Sequence, residues 1–532
     1  MISLQYNNLD NTASFHKLKN LDKRIDLKSF LTPERIRTYS IETGGKLSYN
    51  YAAMPVDEEI ISLLQDLAEE QQLVEKYRAL LSGEIMNTGE NRKVLHHLLR
   101  GQLAGPVTYQ GRDLRDFYIS QQKRIFDFAD KVHSGEIKGS TGKLFDTVVQ
   151  IGIGGSDLGP RALHIALAGY AYETFGKPRM NARFISNVDP DDANCILHDL
   201  DPERCLFIIV SKSGTTQETL TNRQLVIEKM NRRGIAGLDP RKHMIAVTSE
   251  TSPMAGSSEY LDSFFIDDFI GGRYSATSAV GGVILTLSYG REVFQSLLNG
   301  AHQSDKNALE SDIRKNASLM DALIGVYLRN ILLYPVTAVL PYSQALSRFP
   351  AHLQQLDMES NGKSVNRFGK PLNYPTGPVV FGEPGTNGQH SFYQLLHQGT
   401  DLIPLQFIGF KEPQYSFNPE IEGSNCQQKL IANLSAQIVA FAMGKDDSDP
   451  NKKFPGNRPS SLIFGERLNP EALGALLAHF ENKIMFQGFT WNINSFDQEG
   501  VQLGKTLTRQ ILGGKSLDPL LEKYSTLLGI RK

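Results

Sequence analysis

Six consecutive residues, Ser211-Lys212-Ser213-Gly214-Thr215-Thr216, concentrate the chemistry best suited to holding an anion. They follow the apolar run Ile208-Ile209-Val210 and precede a helical pattern with Leu220, Val226, Ile227 and Met230 apolar, ending near Gly234. Four hydroxyls, a glycine that admits close backbone approach and the free N–H groups of a helix N-terminus together make a phosphate cradle. In an open α/β sheet such a turn lies outside the C-terminal ends of the strands, where ligands bind. A capping reading competes with this one. Thr215-x-x-Glu218 is a capping box in its own right, which accounts for one threonine and the glutamate but leaves Ser211, Ser213 and Gly214 unexplained. The residues alone leave the two readings evenly balanced.

Other candidate groups are scattered. Glu359 stands in an Asn/Gly-rich stretch, where a carboxylate can point into a cleft and be tuned toward neutral pH; taken alone, it reads as a solvated loop residue. His390, between Gln389 and Ser391, has a ring that exchanges protons near neutrality, although a lone histidine more often serves structure. Lys505 follows Gly504 on a helical pattern and shares a face with Val501 and Leu512, where a lysine can snorkel. His96, His97, His164 and His397 read as structural. Two glycine turns fail as nucleotide sites. Gly152-Ile153-Gly154-Gly155 places Asp157 where a dinucleotide fingerprint needs its third glycine, and Gly362-Lys363-Ser364 places Asp357 where a Walker loop needs its leading glycine. No HExxH or clustered His/Cys spacing occurs, so neither a metal nor a cofactor is expected.

These groups need a large scaffold. At 532 residues the chain exceeds what one hydrophobic core supports, so two or more domains are expected. A net charge of −2 argues against a nucleic-acid or membrane-surface binder, and an anionic substrate must then be held by local groups. The N-terminus lacks an apolar signal core. The uncharged stretch 274–290 falls short of the ~20 apolar residues of a membrane span. Three cysteines without a CxxC pair fit a reducing, cytoplasmic setting.

The fold class expected is α/β. The first ~110 residues read as helical and charged, with the spacing over 58–81 a helix. Apolar runs at 147–151, 184–186, 206–210 and 244–247 alternate with helices, as in a parallel sheet covered on both faces. Runs at 335–340, 379–381 and 402–410 form a second set beyond a helix-rich stretch at 287–331. The organisation expected is therefore a helical extension over 1–115, an α/β domain over 116–290, a helical connector over 291–330, a second α/β domain over 331–510 and a helical extension over 511–532.

The cradle has companions. Gly152-Ile153-Gly154-Gly155-Ser156-Asp157-Leu158-Gly159-Pro160, Gly271-Gly272-Arg273-Tyr274-Ser275, Gln355-Leu356-Asp357-Met358-Glu359-Ser360-Asn361-Gly362-Lys363 and Gly385-Thr386-Asn387-Gly388-Gln389-His390-Ser391-Phe392 resemble motifs of the glucose-6-phosphate isomerase family. So do Glu90-Asn91-Arg92-Lys93-Val94-Leu95-His96 and Asp497-Gln498-Glu499-Gly500-Val501-Gln502-Leu503-Gly504-Lys505, and the matches run in family order from about residue 83 to about 507. The resemblance implies two sugar-isomerase (SIS) domains, each a parallel sheet flanked by helices, and an aldose–ketose interconversion of a 6-phosphate without cofactor or metal. It implies Glu359 as the base moving a proton between C1 and C2, His390 as a ring-opening group reaching the neighbouring subunit of a homodimer, Lys505 at the ring oxygen and Arg273 opposite the enediolate. Gly155, Ser156, Ser211, Lys212, Ser213, Gly214, Thr215 and Thr216 would surround the phosphate, with Gln355 and Gln498 on sugar hydroxyls.

Departures from the family pattern carry an expectation of their own. The cradle reads Ser-Gly-Thr-Thr where animal-type members carry Thr-Phe-Thr-Thr, and Ala276 and Thr277 stand where many members have Leu-Trp. These smaller side chains would widen the pocket and relax discrimination against mannose 6-phosphate. SIS domains also occur in regulators that only sense phosphosugars; the joint presence of Glu359, His390 and Lys505 distinguishes an enzyme from a sensor. An aminosugar isomerase is the other alternative, but no glutaminase segment with an N-terminal cysteine is present to supply ammonia.

Overall fold

The computed structural model describes residues 3–21, 23–513 and 517–530. Near the N-terminus β1 (Ser40–Thr43) and β2 (Leu47–Asn50) form an antiparallel hairpin. Five strands follow: β3 (Thr147–Ile151), β4 (Asn181–Ile185), β5 (Cys205–Val210), β6 (Met244–Thr248) and β7 (Ser263–Phe265). They make an all-parallel sheet in the order β7-β6-β5-β3-β4. Every residue of β3, β5 and β6 is buried, which is why β5 reads as an unbroken apolar run and β3 and β6 as mostly apolar rather than alternating ones.

The second sheet uses β8 (Val336–Tyr342), β9 (Val379–Phe381), β10 (Leu405–Glu412) and β11 (Ser460–Arg467), mutually parallel. Its order is β1-β2-β11-β10-β8-β9, so the N-terminal hairpin closes one edge antiparallel to β11. The N-terminal stretch read as helical thus also supplies two strands to this sheet. Their turn explains itself: Gly45 has φ +64°, and a Cβ there would lie 2.7 Å from the Cβ of Ala475. The hairpin is pressed onto a helix from the far end of the chain.

Helices α1 (Leu158–Phe175) and α2 (Gln217–Arg232) belong to the first sheet's strand-to-helix turns. Helix α3 (Ala279–Tyr289) is the uncharged stretch noted above; it is buried throughout, and among the described residues no helix is long and apolar enough to cross a membrane. Helices α4 (Arg291–Asn307), α5 (Ala317–Asn330), α6 (Phe349–Gln354) and α7 (Pro470–Thr490) follow. Helix α7 is buried along its whole length and packs on α4 and α5. Its apolar residues such as Leu473, Leu476 and Phe486 each contribute about 2 kcal/mol of burial. Helices α8 (Gln502–Leu512) and α9 (Pro519–Leu527) end the chain.

Candidate active site

Strand β5 ends at Val210 and the chain turns into α2 through the cradle. Ser211 is buried, with its Oγ 2.9 Å from Thr216 Oγ1 and accepting from Thr216 N at 3.4 Å. Ser213 Oγ accepts from Thr215 N at 3.2 Å and from Thr215 Oγ1 at 2.9 Å. The capping box is not formed: the N-cap is Thr216, and no side-chain bond closes the helix N-terminus. The competing reading therefore loses its support, and the first-turn amides of α2 stay open to an anion.

Gly214 has φ +67°, and a Cβ there would lie 2.4 Å from Ser252 Oγ. It is required by the turn and by close packing, so the idea that it leaves a widened pocket fails at this position. Ala276 and Thr277 fail the same expectation. Both are buried in the core, where Thr277 Oγ1 accepts from Arg100 Nε at 3.2 Å and a Cβ on Gly159 would sit 2.9 Å from that of Ala276. Lys212 donates to Ile270 O at 3.2 Å, with its ammonium pKa lowered by burial.

The glycine turn after β3 touches the arginine turn directly. A Cβ on Gly155 would lie 2.2 Å from the backbone of Gly272, the residue before Arg273. Ser156 follows, its carbonyl accepting from Gln150 Nε2 at 2.8 Å. Gln498 is exposed and lines a small pocket with Lys212, Gly271, Gly272 and Tyr274.

Glu359 lies not in a loop but at the end of a π-helical turn, Gln355–Glu359, that continues α6. The Asn361-Gly362 pair marks where this helix stops, with Gly362 N donating to Met358 O at 3.0 Å. Residues four apart share a helix face, so Gln355 and Glu359 project together; single π turns inside helices are frequent at functional sites. Gln355 Oε1 is buried without a partner, and its Nε2 lies 3.3 Å from where a Cβ on Gly154 would be. Gln355 therefore reaches toward the glycine turn of the first sheet.

Arg273 is 1% exposed and held from three sides. Its Nε donates to Ser360 Oγ at 2.6 Å, and its Nη2 to Ser495 O at 2.6 Å and Asp497 O at 3.0 Å. Only Nη1 is left for Glu359, whose Oε1 stands 3.5 Å away. Ser360 also meets Tyr274 OH at 3.0 Å. Lys363 Nζ donates to Glu359 O at 3.1 Å and pairs with Asp497 Oδ1 at 2.8 Å. Ser495 Oγ donates to Asn361 Oδ1 at 2.7 Å. A fixed cation thus faces a partly exposed carboxylate.

Ser360, Asn361, Lys363, Ser495 and Asp497 had no role in the sequence reading, although a polar run directly behind Glu359 was the available signal. Ser360 holds the arginine in place. Ser360→Ala should lower kcat by roughly 10- to 100-fold with KM little changed, since a displacement near 1 Å costs about that much; steady-state kinetics check it.

Two of the sequence-predicted residues make no hydrogen bond or ion pair with these groups among the described residues. His390 sits on an exposed turn, Gly388–His390, and its side chain makes no hydrogen bond or ion pair among the described residues. Lys505 is exposed on α8, again without a side-chain partner among the described residues.

Comparison with known proteins decides what this site belongs to. The family model described as phosphoglucose isomerase matches residues 50–524. The chain belongs to the phosphoglucose isomerase family. Among its relatives, the glucose-6-phosphate isomerase of Treponema denticola is 58% identical, over 99% of this chain and 100% of the relative. That of Treponema pallidum (strain Nichols) is 56% identical, over 99% of each. The crystal structure of a glucose-6-phosphate isomerase from Chlamydia trachomatis superposes with a TM-score of 0.92 at 41% identity, covering 98% of this chain and 100% of that one. The two parallel sheets flanked by helices are the α/β architecture that the family resemblance implied.

Proposed function

We propose that this chain is an isomerase that reversibly interconverts glucose 6-phosphate and fructose 6-phosphate, working as a homodimer. The observation that carries the reading is the approach of Glu359 to the buried Arg273, on a turn to which Lys212 of the cradle is tied through Ile270 O.

In this reading the phosphate rests on Gly155, Ser156, Ser211, Ser213, Gly214, Thr215, Thr216 and the amides of α2, with Lys212 bracing the turn. Remote binding energy then orients the reacting carbons. His390 of the partner subunit and Lys505 open the ring, moving a proton off O1 and delivering one to the ring oxygen. Glu359 takes the C2 proton of the open aldose, and the electron pair moves into a C1–C2 double bond. The former carbonyl oxygen at C1 becomes the oxyanion of an enediolate, opposite Arg273; a preorganised cation at developing charge is a large catalytic term. The proton on O2 passes to O1 as the carbonyl forms at C2, and Glu359 returns its proton to C1. Gln355 and Gln498 fix the sugar hydroxyls.

The exposed placement of His390 supports a role across an interface. So does the C-terminal surface, where Leu503, Leu512, Leu520, Tyr524, Leu527 and Leu528 are all more than 60% exposed; contiguous apolar surface of this kind marks an interaction site. Three free cysteines fit a cytoplasmic enzyme.

A coupled assay of fructose 6-phosphate tests the activity, with mannose 6-phosphate as control: formation of glucose 6-phosphate is expected, and its absence would refute the reading. The cradle has its own test. Ser213→Ala combined with Thr216→Ala should raise KM by at least roughly 100-fold, at about 1.5–3 kcal/mol for each hydrogen bond to a charged group. An unchanged KM would remove the cradle from the site.

A further inference from the structure

A narrow cavity lies under the π turn. Residues two apart on a helix face opposite ways, so Asp357 points inward while Gln355 and Glu359 point at the site; Asp357 is buried and lines the cavity. Asp321 of α5, Gln406 of β10, and Lys483 and Gln487 of α7 line it too. The volume is about 40 Å³, enough for two or three waters at roughly 10–15 Å³ each.

Part of this polar lining is self-satisfied. Lys483 Nζ donates to Gln406 Oε1 at 2.8 Å and pairs with Asp321 Oδ1 at 3.0 Å, while Gln406 Nε2 donates to Asp321 Oδ2 at 2.6 Å. Tyr49 OH and His479 Nε2 also reach Asp321, each at 3.1 Å. Burial opposes the charge on Asp321, yet Lys483 and His479 beside it hold its pKa down at about 2. Three groups are left short, one of them Ser461 Oγ, which lines the cavity and is buried without a partner. Gln487 Oε1 is buried without a partner, and the carboxyl of Asp357 has only a 3.4 Å contact from Asn361 Nδ2. Buried polar groups are satisfied by protein or by ordered water, and although Ile324, Leu353, Val380 and Phe480 make much of the lining apolar, Asp357, Lys483 and Gln487 give the cavity a polar side with room for water.

We propose that Asp357 is a positioning residue of the isomerisation: water in the cavity bridges its carboxyl to Lys483 and Gln487 and so pins the turn that presents Gln355 and Glu359. The proposal rests on Glu359 being the base. A π turn is an uncommon local structure that needs tertiary support, and Asp357 is the tether at its middle. Burial raises the Asp357 carboxyl to about 6 even with Lys483 lowering it, so near neutral pH it stands mainly as a carboxylate that accepts hydrogen bonds. Asp321 and Lys483 are the charged groups that act on it, and Arg329 lines the same cavity.

The test compares Asp357→Asn and Asp357→Leu in the full-length enzyme. Two readouts are taken with fructose 6-phosphate: steady-state kinetics, and the ratio of solvent deuterium uptake at C2 to turnover, which does not depend on the folded fraction. Asp357→Leu should lower kcat at least ~10-fold, leave KM within about twofold and change the ratio. Asp357→Asn, which keeps shape and hydrogen bonding, should stay within about threefold of the native kcat with the native ratio. Native kcat and ratio in Asp357→Leu, or equal impairment in both variants, would overturn the proposal. If the leucine variant does not fold, a crystal structure of the native enzyme decides: water bonded to Asp357, Lys483 and Gln487 supports the tether, and a dry cavity refutes it. Glu359→Gln is the control. Retained exchange there sinks the base assignment, whereas lost exchange with an unaffected Asp357→Leu sinks the tether alone.

Discussion

Glu359→Gln should lower kcat by on the order of 10³-fold while KM for the sugar phosphate stays within about twofold. The amide keeps the shape of the side chain and its place beside Arg273 Nη1, 3.5 Å away in the native enzyme. It cannot accept a proton from carbon. Substrate binding is assigned to the cradle at the end of β5 and to Gln355 and Gln498, none of which the substitution touches, so the loss belongs in the chemical step. Folding should also be spared. Glu359 is partly exposed, and the polar network beneath it runs through Ser360, Lys363 and the backbone carbonyls of Ser495 and Asp497. Stopped-flow or coupled kinetics with a thermal melt check both halves; a variant with native kcat would remove Glu359 from the mechanism.

Mixing inactive Glu359→Gln with inactive His390→Ala should recover about a quarter of native activity. The number follows from symmetry. If each site takes Glu359 from one chain and His390 from the other, a mixed dimer holds one site with both native groups and one with neither, and random exchange makes about half of the dimers mixed. The exposed turn carrying His390 and its lack of any partner among the described residues are what a group serving another subunit requires. The measurement is activity after denaturation and co-refolding, with mixed dimers separated by a charge tag. Mixed dimers that form and stay inactive would put His390 back in its own subunit's site.

How much of this was legible in the sequence depends on range. Strand β5 is a continuous apolar run, and β3 and β6 are mostly apolar and β-branched, because both sheet faces are covered, so their composition alone announces them. Strand β7 has three residues, and β11 carries only Leu462, Ile463 and Phe464 as an apolar run before Gly465; neither is long enough to stand out. The hairpin β1–β2 hides in a polar, largely helical stretch because only one face of an edge pair is buried. The cradle is legible for a local reason: its hydroxyls, glycine and helix start are consecutive. That the capping box does not form was visible only at the observed N-terminus of α2.

The pairing of Arg273 with Glu359 was out of reach of spacing. It is made by two turns from different sheets, joined where Arg273 Nε donates to Ser360 Oγ. Glu359 looked like a loop residue because Asn361-Gly362 reads as a turn, when it is the stop of a helix. The smaller residues Gly214, Ala276 and Thr277 looked like added space; the neighbours fill it, which only packing can reveal.

The central claim is that Glu359 carries a proton between C1 and C2 of a bound sugar phosphate. Incubating the enzyme with fructose 6-phosphate in deuterium oxide and reading deuterium at C2 of the glucose 6-phosphate formed tests it most directly. The native enzyme is predicted to place solvent deuterium at C2, and Glu359→Gln to place none while still binding fructose 6-phosphate. Deuterium at C2 in Glu359→Gln at the native rate would contradict the account.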